Sequence, residues 1–421
     1  MPTKLTSRSI KKPTAKKSNT RIKPLAPEPT VNLLETTPAE QPATVLPIST
    51  PLPAELNRAW WWLDRVIITL TILLVLSGLI ILGKWWQASQ QSSKLTYNFK
   101  NTDTSPVAQL SLLTAVAPLT GLPATPTDAG RRPWAVVIEN FPSVRPQFGL
   151  ASADLVFESP TEGGITRFLA IFQSQLPTDQ LGPIRSARPY FNDWARTFSA
   201  LFSHSGGTAE ALQQLKGGYG GLQDVNEFFN QYAYQRDDTK KAPHNLFTTA
   251  ERFWNYVQGK GWDTTVTTAP WFSFNDQIAE GEPATSINLP YYPTDYSVRY
   301  DYQSDKAVYQ RSLNNTVQTD ALTQEPIGIK NVIVLLTDVT PIPNDPLLKV
   351  NIRTIGSGKI ILFTRGQQYT GRWQKTGLDA PLKFLTPQGT TLQLTPGKTW
   401  ISVMDSLAEK DIKIEPVATN P

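Results

Sequence analysis

The sequence predicts an α+β protein: an N-terminal single transmembrane helix, then an α/β-type domain followed by a β-rich C-terminal domain. Three observations carry this. An uncharged apolar run fills residues 66–83. From Pro118 to about residue 268, short apolar runs end in acids, a histidine or glycine turns and are interleaved with helical spacing. Beyond about residue 269 the pattern becomes alternating and turn-rich, as in short strands. The 421 residues leave room for two domains and their tails. The expected boundaries are a disordered basic tail at 1–59, an anchor helix with tryptophan flanks at 60–86, a linker at 87–117, and domains at 118–268 and 269–410.

The eighteen residues VIITLTILLVLSGLIILG between Arg65 and Lys84 carry no charge. At the helical rise they span about 27 Å, close to the hydrocarbon thickness of a bilayer. Trp60, Trp61 and Trp62 on one side and Trp85 and Trp86 on the other stand where interfacial aromatic belts belong. Sixty-five residues precede the run and no small-x-small cleavage site follows it, which argues against a removable signal peptide. Residues 1–65 hold ten Lys/Arg against five Asp/Glu, so positive charge places the N-terminus in the cytoplasm and the rest outside. Lys4 to Lys23 contains eight basic residues and no acid, a tail suited to anionic lipid headgroups. The remaining residues carry thirty Lys/Arg and thirty Asp/Glu, so no nucleic-acid footprint is expected. The chain has no cysteine, which excludes disulfides, a thiolate nucleophile and a lipid-modified cysteine.

In the α/β part, Trp134–Ile138, Leu155–Phe157, Phe168–Phe172 and Ala200–Ser203 read as buried strands. They run into Glu139, Glu158 and, for the last, His204. Strand carboxyl ends in such layers are where ligands usually sit, so these three side chains point to a cleft. Pro189 suits the first turn of a helix whose inner face is Phe191, Trp194, Ala195 and Phe198. Thr208 is placed to cap a second helix running to Leu215 and stopped by Gly217 and Gly218. In the β-rich part, Tyr296, Val298, Tyr300 and Tyr302 alternate, turn at Ser304-Asp305 and return at Ala307–Tyr309. Asn331–Thr337 is a continuous apolar strand. Lys349–Ile355 and Lys359–Thr364 flank Gly356-Ser357-Gly358, which reads as a hairpin. Short strands then end in Trp400–Val403, and the whole suggests a small barrel or sandwich.

The chemistry concentrates between Glu158 and Tyr190. Glu162 precedes two glycines, and Arg167, Arg185 and Arg188 follow. Arg185 and Arg188 stand just before a helix N-terminus, where free N–H groups favour an anion and planar guanidinium forks match a carboxylate or phosphate. Lys241 and His244, in KAPHN, suit a segment closing over such a cleft.

PLTGL at 118–122, RPQFGL at 145–150, EGGITRF at 162–168 and GPIRSARPYF at 182–191 together resemble the YerB-like family of bacterial envelope proteins. SHSGG at 203–207 and KAPHNLF at 241–247 continue the match. TIGSGK at 354–359, GRW at 371–373 and PGKTWI at 396–401 resemble that family's C-terminal domain. The resemblance covers residues 118–405 and implies a two-domain extracytoplasmic protein with no settled activity. Members of the family are typically lipoproteins or signal-anchored, and here the lipobox cysteine is missing, which leaves the apolar run as the anchor.

Three readings of the site stay open. In the first, Arg145, Glu158, Arg167, Arg185, Arg188, Lys241 and His244 bind an anionic envelope ligand, such as a peptidoglycan stem-peptide carboxylate or a wall-polymer phosphate. In the second, Glu162 as acid or base and His204 assisting make a wall-modifying hydrolase or lyase. In the third, the arginines and acids form a structural network. An acid of raised pKa would favour the enzyme, and arginines with every acid paired would favour binding. No cofactor and no metal site is expected, since neither histidine sits in a metal-binding spacing.

Overall fold

The computed structural model describes residues 65, 68–80, 83–84 and 114–416, apart from 268, 292 and 293. The chain divides into two units, residues 1–96 and 97–421. In the first, residues 68–80 are helical, and side chains such as Ile68, Leu74 and Ile80 are exposed. Among the described residues, no helix is long and apolar enough to cross a membrane. Positions 66, 67, 81 and 82 of the expected anchor, the tail at 1–59 and the linker positions 87–113 lie outside the described residues.

The second unit is built on one large sheet. Its first strands are β1 (Trp134–Glu139), β2 (Leu155–Pro160) and β3 (Thr166–Phe172). After helix α1 (Pro189–Thr197) come β4 (Leu201–His204), helix α2 (Ala209–Leu215) and β5 (Gln223–Asn226). Helix α3 (Ala250–Gly259) follows. From the later half come β6 (Glu282–Pro283), β7 (Ser286–Leu289), β8 (Val298–Gln303), β9 (Val308–Leu313), β10 (Asn331–Thr337), β11 (Gly356–Thr364), β12 (Gln367–Lys375), β13 (Lys383–Leu385), β14 (Thr399–Asp405) and β15 (Lys413–Glu415). Among the described residues the large sheet has eleven strands in the order β6-β12-β11-β10-β14-β2-β3-β1-β4-β5, with β13 beside β12. A second sheet is built around β9-β8-β7-β15.

The sequence halves do not keep separate sheets. Strand β14 lies parallel to β2 on one side and to β10 on the other, with Thr399 opposite Leu155 and Asn331. The later half is therefore not a closed barrel of its own: β6 and β10 to β14 complete the sheet begun by the first, while β7, β8, β9 and β15 form the body of the second sheet.

Pleating sends alternate side chains to opposite faces. Trp134, Val136 and Ile138 join a core shared with Phe253 and Val257 of α3 and with Tyr300 and Tyr309 of the second sheet. Ala135 and Val137 join the opposite core, which includes Phe191, Trp194 and Ala195 of α1, Phe198 just after it, and Ala211 and Leu215 of α2. The helices form as their sequences dictate. Pro189 occupies the first turn of α1, and Thr208 caps α2 by accepting from Ala211 N at 3.2 Å. Trp194 stacks on Phe157 at 4.8 Å, and Trp134 stacks on Phe253 at 4.2 Å. Full burial of such a ring contributes about 1.5–3 kcal/mol.

The expected hairpin around Gly356-Ser357-Gly358 is not formed. Those residues begin β11, which turns at Arg365-Gly366 and pairs with β12 along its length, while Val350–Ile352 pairs with Val339–Pro341. Packing explains the glycine: a Cβ at Gly358 would stand 2.5 Å from Leu336 O and from Trp373 Nε1. The hairpin at Ser304-Asp305 is formed as the alternation predicts, with Tyr302 opposite Tyr309.

Candidate functional site

Strands β1, β2, β4 and β14 run in one direction, so their carboxyl ends share one sheet edge, and β3 starts there in the opposite sense. Glu139 and His204 end their strands and Glu158 lies near the end of its own, as the sequence indicates. Arg167 sits opposite both Glu139 and Ser159. Pleating then separates them. Glu139, Arg167 and His204 face the helical side, while Glu158 faces the second sheet.

That separation removes Glu158 from any ligand. Its carboxylate is fully buried against the equally buried Arg311, whose Nη2 lies 2.6 Å from both oxygens. Thr166 Oγ1 donates to it at 2.9 Å and Trp400 Nε1 at 3.1 Å. The Arg311 guanidinium lies 4.9 Å from the Trp400 ring centre and 5.5 Å from that of Phe168. Burial alone would lower the Arg311 pKa, but Glu158 and Tyr300 outweigh it and raise it. A ring of hydrogen bonds runs from Arg311 Nη1 to Gln318, from Gln318 to Gln147 at 3.0 Å, on to Asn140 at 3.1 Å and then to Thr166 at 2.8 Å. Glu158 is a structural acid. Arg311 escaped the sequence reading, although its position between the inward-facing Tyr309 and Leu313 marks it as buried.

Glu162 is held by two guanidiniums. Arg167 Nη2 and Arg188 Nη2 donate to its separate oxygens, and Arg188 Nε adds a bond of 3.0 Å. Burial pushes the Glu162 pKa up, but Arg167 and Arg188 overcome it and hold the carboxyl at about 2. Burial, then the neighbouring Arg188, lowers Arg167 to about 10. Arg188 spends its Nη1 on Ala187 O at 2.7 Å and Ser186 O at 3.2 Å. Four of the five Arg188 N–H donors are thus committed within the protein, and its bidentate face is turned to Glu162 in place of the ligand expected from its place at the helix start. Arg167, also buried, faces the same acid. Glu162, ionised and doubly clamped, has no proton to give near neutral pH.

His204 is also unsuited to catalysis. It is fully buried, with Nδ1 2.7 Å from Gly206 O and Nε2 2.8 Å from Asp224 Oδ1. Both ring nitrogens face acceptors, so neither offers a free lone pair to a substrate.

Three of the expected residues do converge. Arg145, Lys241 and His244 line one cleft of about 570 Å³ together with Lys240, Phe148 and Phe247. No carboxylate is among the described residues lining it. Arg145 is anchored by Asn140 Oδ1 at 3.1 Å and by the carbonyls of Asn140 and Asp295, each at 2.9 Å. It also lies 4.8 Å from the centre of the Tyr296 ring. His244 Nδ1 is 2.9 Å from Glu139 Oε2, and its ring stacks on Phe141. Arg185 stands behind this wall, with Nε 3.3 Å from Glu139 Oε1 and Nη1 donating to Pro243 O at 3.3 Å. Lys240 pairs with Asp237 at 2.7 Å and lies over the rings of Phe148 and Phe247. Lys241 is exposed, and its ammonium has no partner among the described residues. The cleft can hold an anion against several fixed donors, and its one histidine, His244, is paired through Nδ1 with Glu139.

A sheet shared by two sequence segments, with a basic cleft beside its carboxyl edge, defines a two-segment α+β protein. Residues 119–263 match the N-terminal domain of the protein family of unknown function DUF3048, and residues 287–401 match its C-terminal domain. The chain belongs to this family. It is 33% identical over 294 residues to the Bacillus subtilis (strain 168) protein named "Putative lipoprotein YerB", covering 69% of this chain and 86% of that one. The crystal structure of YerB from Bacillus subtilis superposes with a TM-score of 0.64 at 32% identity, over 72% of this chain and 99% of the other.

Proposed function

We propose that this protein is a single-pass, membrane-anchored extracytoplasmic binding protein that captures an anionic envelope ligand in the cleft of Arg145, Lys241 and His244. The observation carrying this reading is the mismatch of charge: cations line the cleft and no carboxylate does. Fixed donors in a partly desolvated wall favour a carboxylate or phosphate, with the Arg145 fork giving orientation and Lys241 a mobile charge. Peptidoglycan stem-peptide carboxylates and wall-polymer phosphates have this chemistry. YerB is named as a lipoprotein; here, without cysteine, the apolar run at 66–83 takes the place of a lipid. The basic tail then rests on cytoplasmic anionic headgroups. The hydrolase or lyase reading loses its two proposed groups, because Glu162 is clamped as a carboxylate and His204 has both nitrogens occupied.

The test is titration of the full chain in a polyoxyethylene detergent with glycerol-phosphate oligomers and, separately, with a muramyl pentapeptide. Binding of either, weakened roughly tenfold by Arg145→Gln and by Lys241→Ala with the fold retained, supports the proposal. Equal binding by both variants defeats it. Turnover of the probe, lost in Glu162→Gln, would restore the enzyme reading.

A further inference from the structure

A second, larger cleft of about 1210 Å³ lies on the helical side of the sheet, near its β12–β13 end. Its lining includes the aromatic rings of Trp271 and Phe274, the amides of Asn275 and Gln374, and the cations Arg372 and Lys383. The aromatic wall is fixed from behind. Trp271 meets Phe198 edge-on at 5.2 Å, and Phe272 stacks on Phe384 at 5.3 Å. The segment bearing them is held by parallel pairing of Ser273 and Phe274 with Gln393 and Leu394, which together form a separate two-stranded sheet. Asn275 is oriented by a bond to Gln393 Oε1 at 2.8 Å. Arg372 and Lys383 are exposed and have no ion-pair partner among the described residues.

From this geometry we infer that the cleft binds an uncharged oligosaccharide of several pyranose rings. A pyranose has an apolar C–H face, which lies flat on an aromatic ring, and a rim of hydroxyls that both donate and accept. Rigid aromatics supply the first surface, and Asn and Gln amides supply donor and acceptor together. Arg372 and Lys383 add donors for ring and acetamido oxygens. A phosphate polymer would find only these two cations, with Asp276 beside them. A purely apolar ligand would make no use of the Gln374 amide or of the remaining donor on Asn275, whose Nδ2 and Oδ1 are already held by Gln393 and Gln277. The size and openness of the cleft suit an extended chain better than a single small molecule. This site stands apart from the anion cleft, so one protein would hold two chemically different ligands.

The experiment is ligand-observed saturation-transfer NMR and calorimetry on the full chain in a polyoxyethylene detergent. The probes are chitotetraose and cellotetraose, with linear polyphosphate as competitor. Binding of at least one tetrasaccharide is expected. Gln374→Ala and Phe274→Ala should each weaken it roughly tenfold, and Lys241→Ala should leave it unchanged. Melting curves identify any variant that fails to fold, and Arg372→Ala, which removes an exposed side chain, stands in for it. The inference is overturned by no tetrasaccharide binding at millimolar concentration, by binding that the variants leave intact, or by polyphosphate displacing the sugar and itself depending on Arg372. Loss of tetrasaccharide binding in Lys241→Ala would likewise overturn it, by placing the sugar in the anion cleft. Failure here leaves the anion cleft, tested with other probes, untouched.

Discussion

Glu158 and Arg145 belong to neighbouring regions that treat charge in opposite ways. Around Glu158 every charge is matched: one carboxylate, one guanidinium, and a closed ring of amides and hydroxyls sealed from water. Around Arg145 the charge is left over, because its partners are an amide and two carbonyls and the cleft beside it holds more cations. Asn140 touches both regions, donating to Thr166 of the sealed ring and accepting from Arg145. The difference separates architecture from binding. A buried pair is tolerated when close geometry and further hydrogen bonds offset its desolvation, whereas unmatched donors at a cleft wall remain available to a ligand.

The largest expected effect breaks the sealed side. Arg311→Met strands Glu158 as an unpaired buried charge and should cost about 3–5 kcal/mol, a fall in Tm on the order of 10 °C. Adding Glu158→Gln should recover much of it. Thermal melting of the single and double variants checks this, and a single variant as stable as wild type would show that the pair is not what closes the two sheets.

Glu162 is intermediate, clamped but one-fifth exposed, and it sharpens the comparison through pH. Its folded pKa, about 2, lies below the ordinary 4.5. The stabilisation is thus fully present above about pH 4.5 and is lost as pH falls towards 2. The loss is on the order of 2–3 kcal/mol after allowance for solvent screening. Glu162→Gln should flatten this part of the stability–pH curve, measured by denaturant unfolding from pH 5 to 2; an unchanged slope would place the acid response elsewhere. The smallest expected effect lies on the open side. Lys241→Ala should shift stability by no more than about 0.5 kcal/mol and should act on anion affinity alone. A clear drop in Tm would mean that its ammonium is part of the fold.

Much of the scaffold was legible because its signals are local. The apolar runs at 134–138, 155–157, 168–172 and 331–337 all became strands, and Pro189 and Thr208 started the helices they suggested. The shared sheet was not legible, since no local pattern says that Thr399–Asp405 will lie beside Leu155–Pro160. Of the residues that the motifs singled out, Arg145, Lys241 and His244 line one cleft. Glu158 and Arg188 were misplaced because charge in a sequence does not reveal which face of a strand it takes or which partner reaches it first. Arg311, about 150 positions from Glu158, could be found only by treating an inward-facing arginine as a demand for a buried acid.

The position of β14 governs the order in which this protein is able to fold. Strands β2 and β10 both wait for it, and until it arrives each keeps an unpaired edge. Such edges are templates for pairing with another chain, and closure between distant segments is slow. A nascent polypeptide must therefore be delivered past Asp405 before its central sheet can close. A chain interrupted near residue 395 would be left with two open seams, and aggregation, more than loss of binding, would be the first sign of truncation.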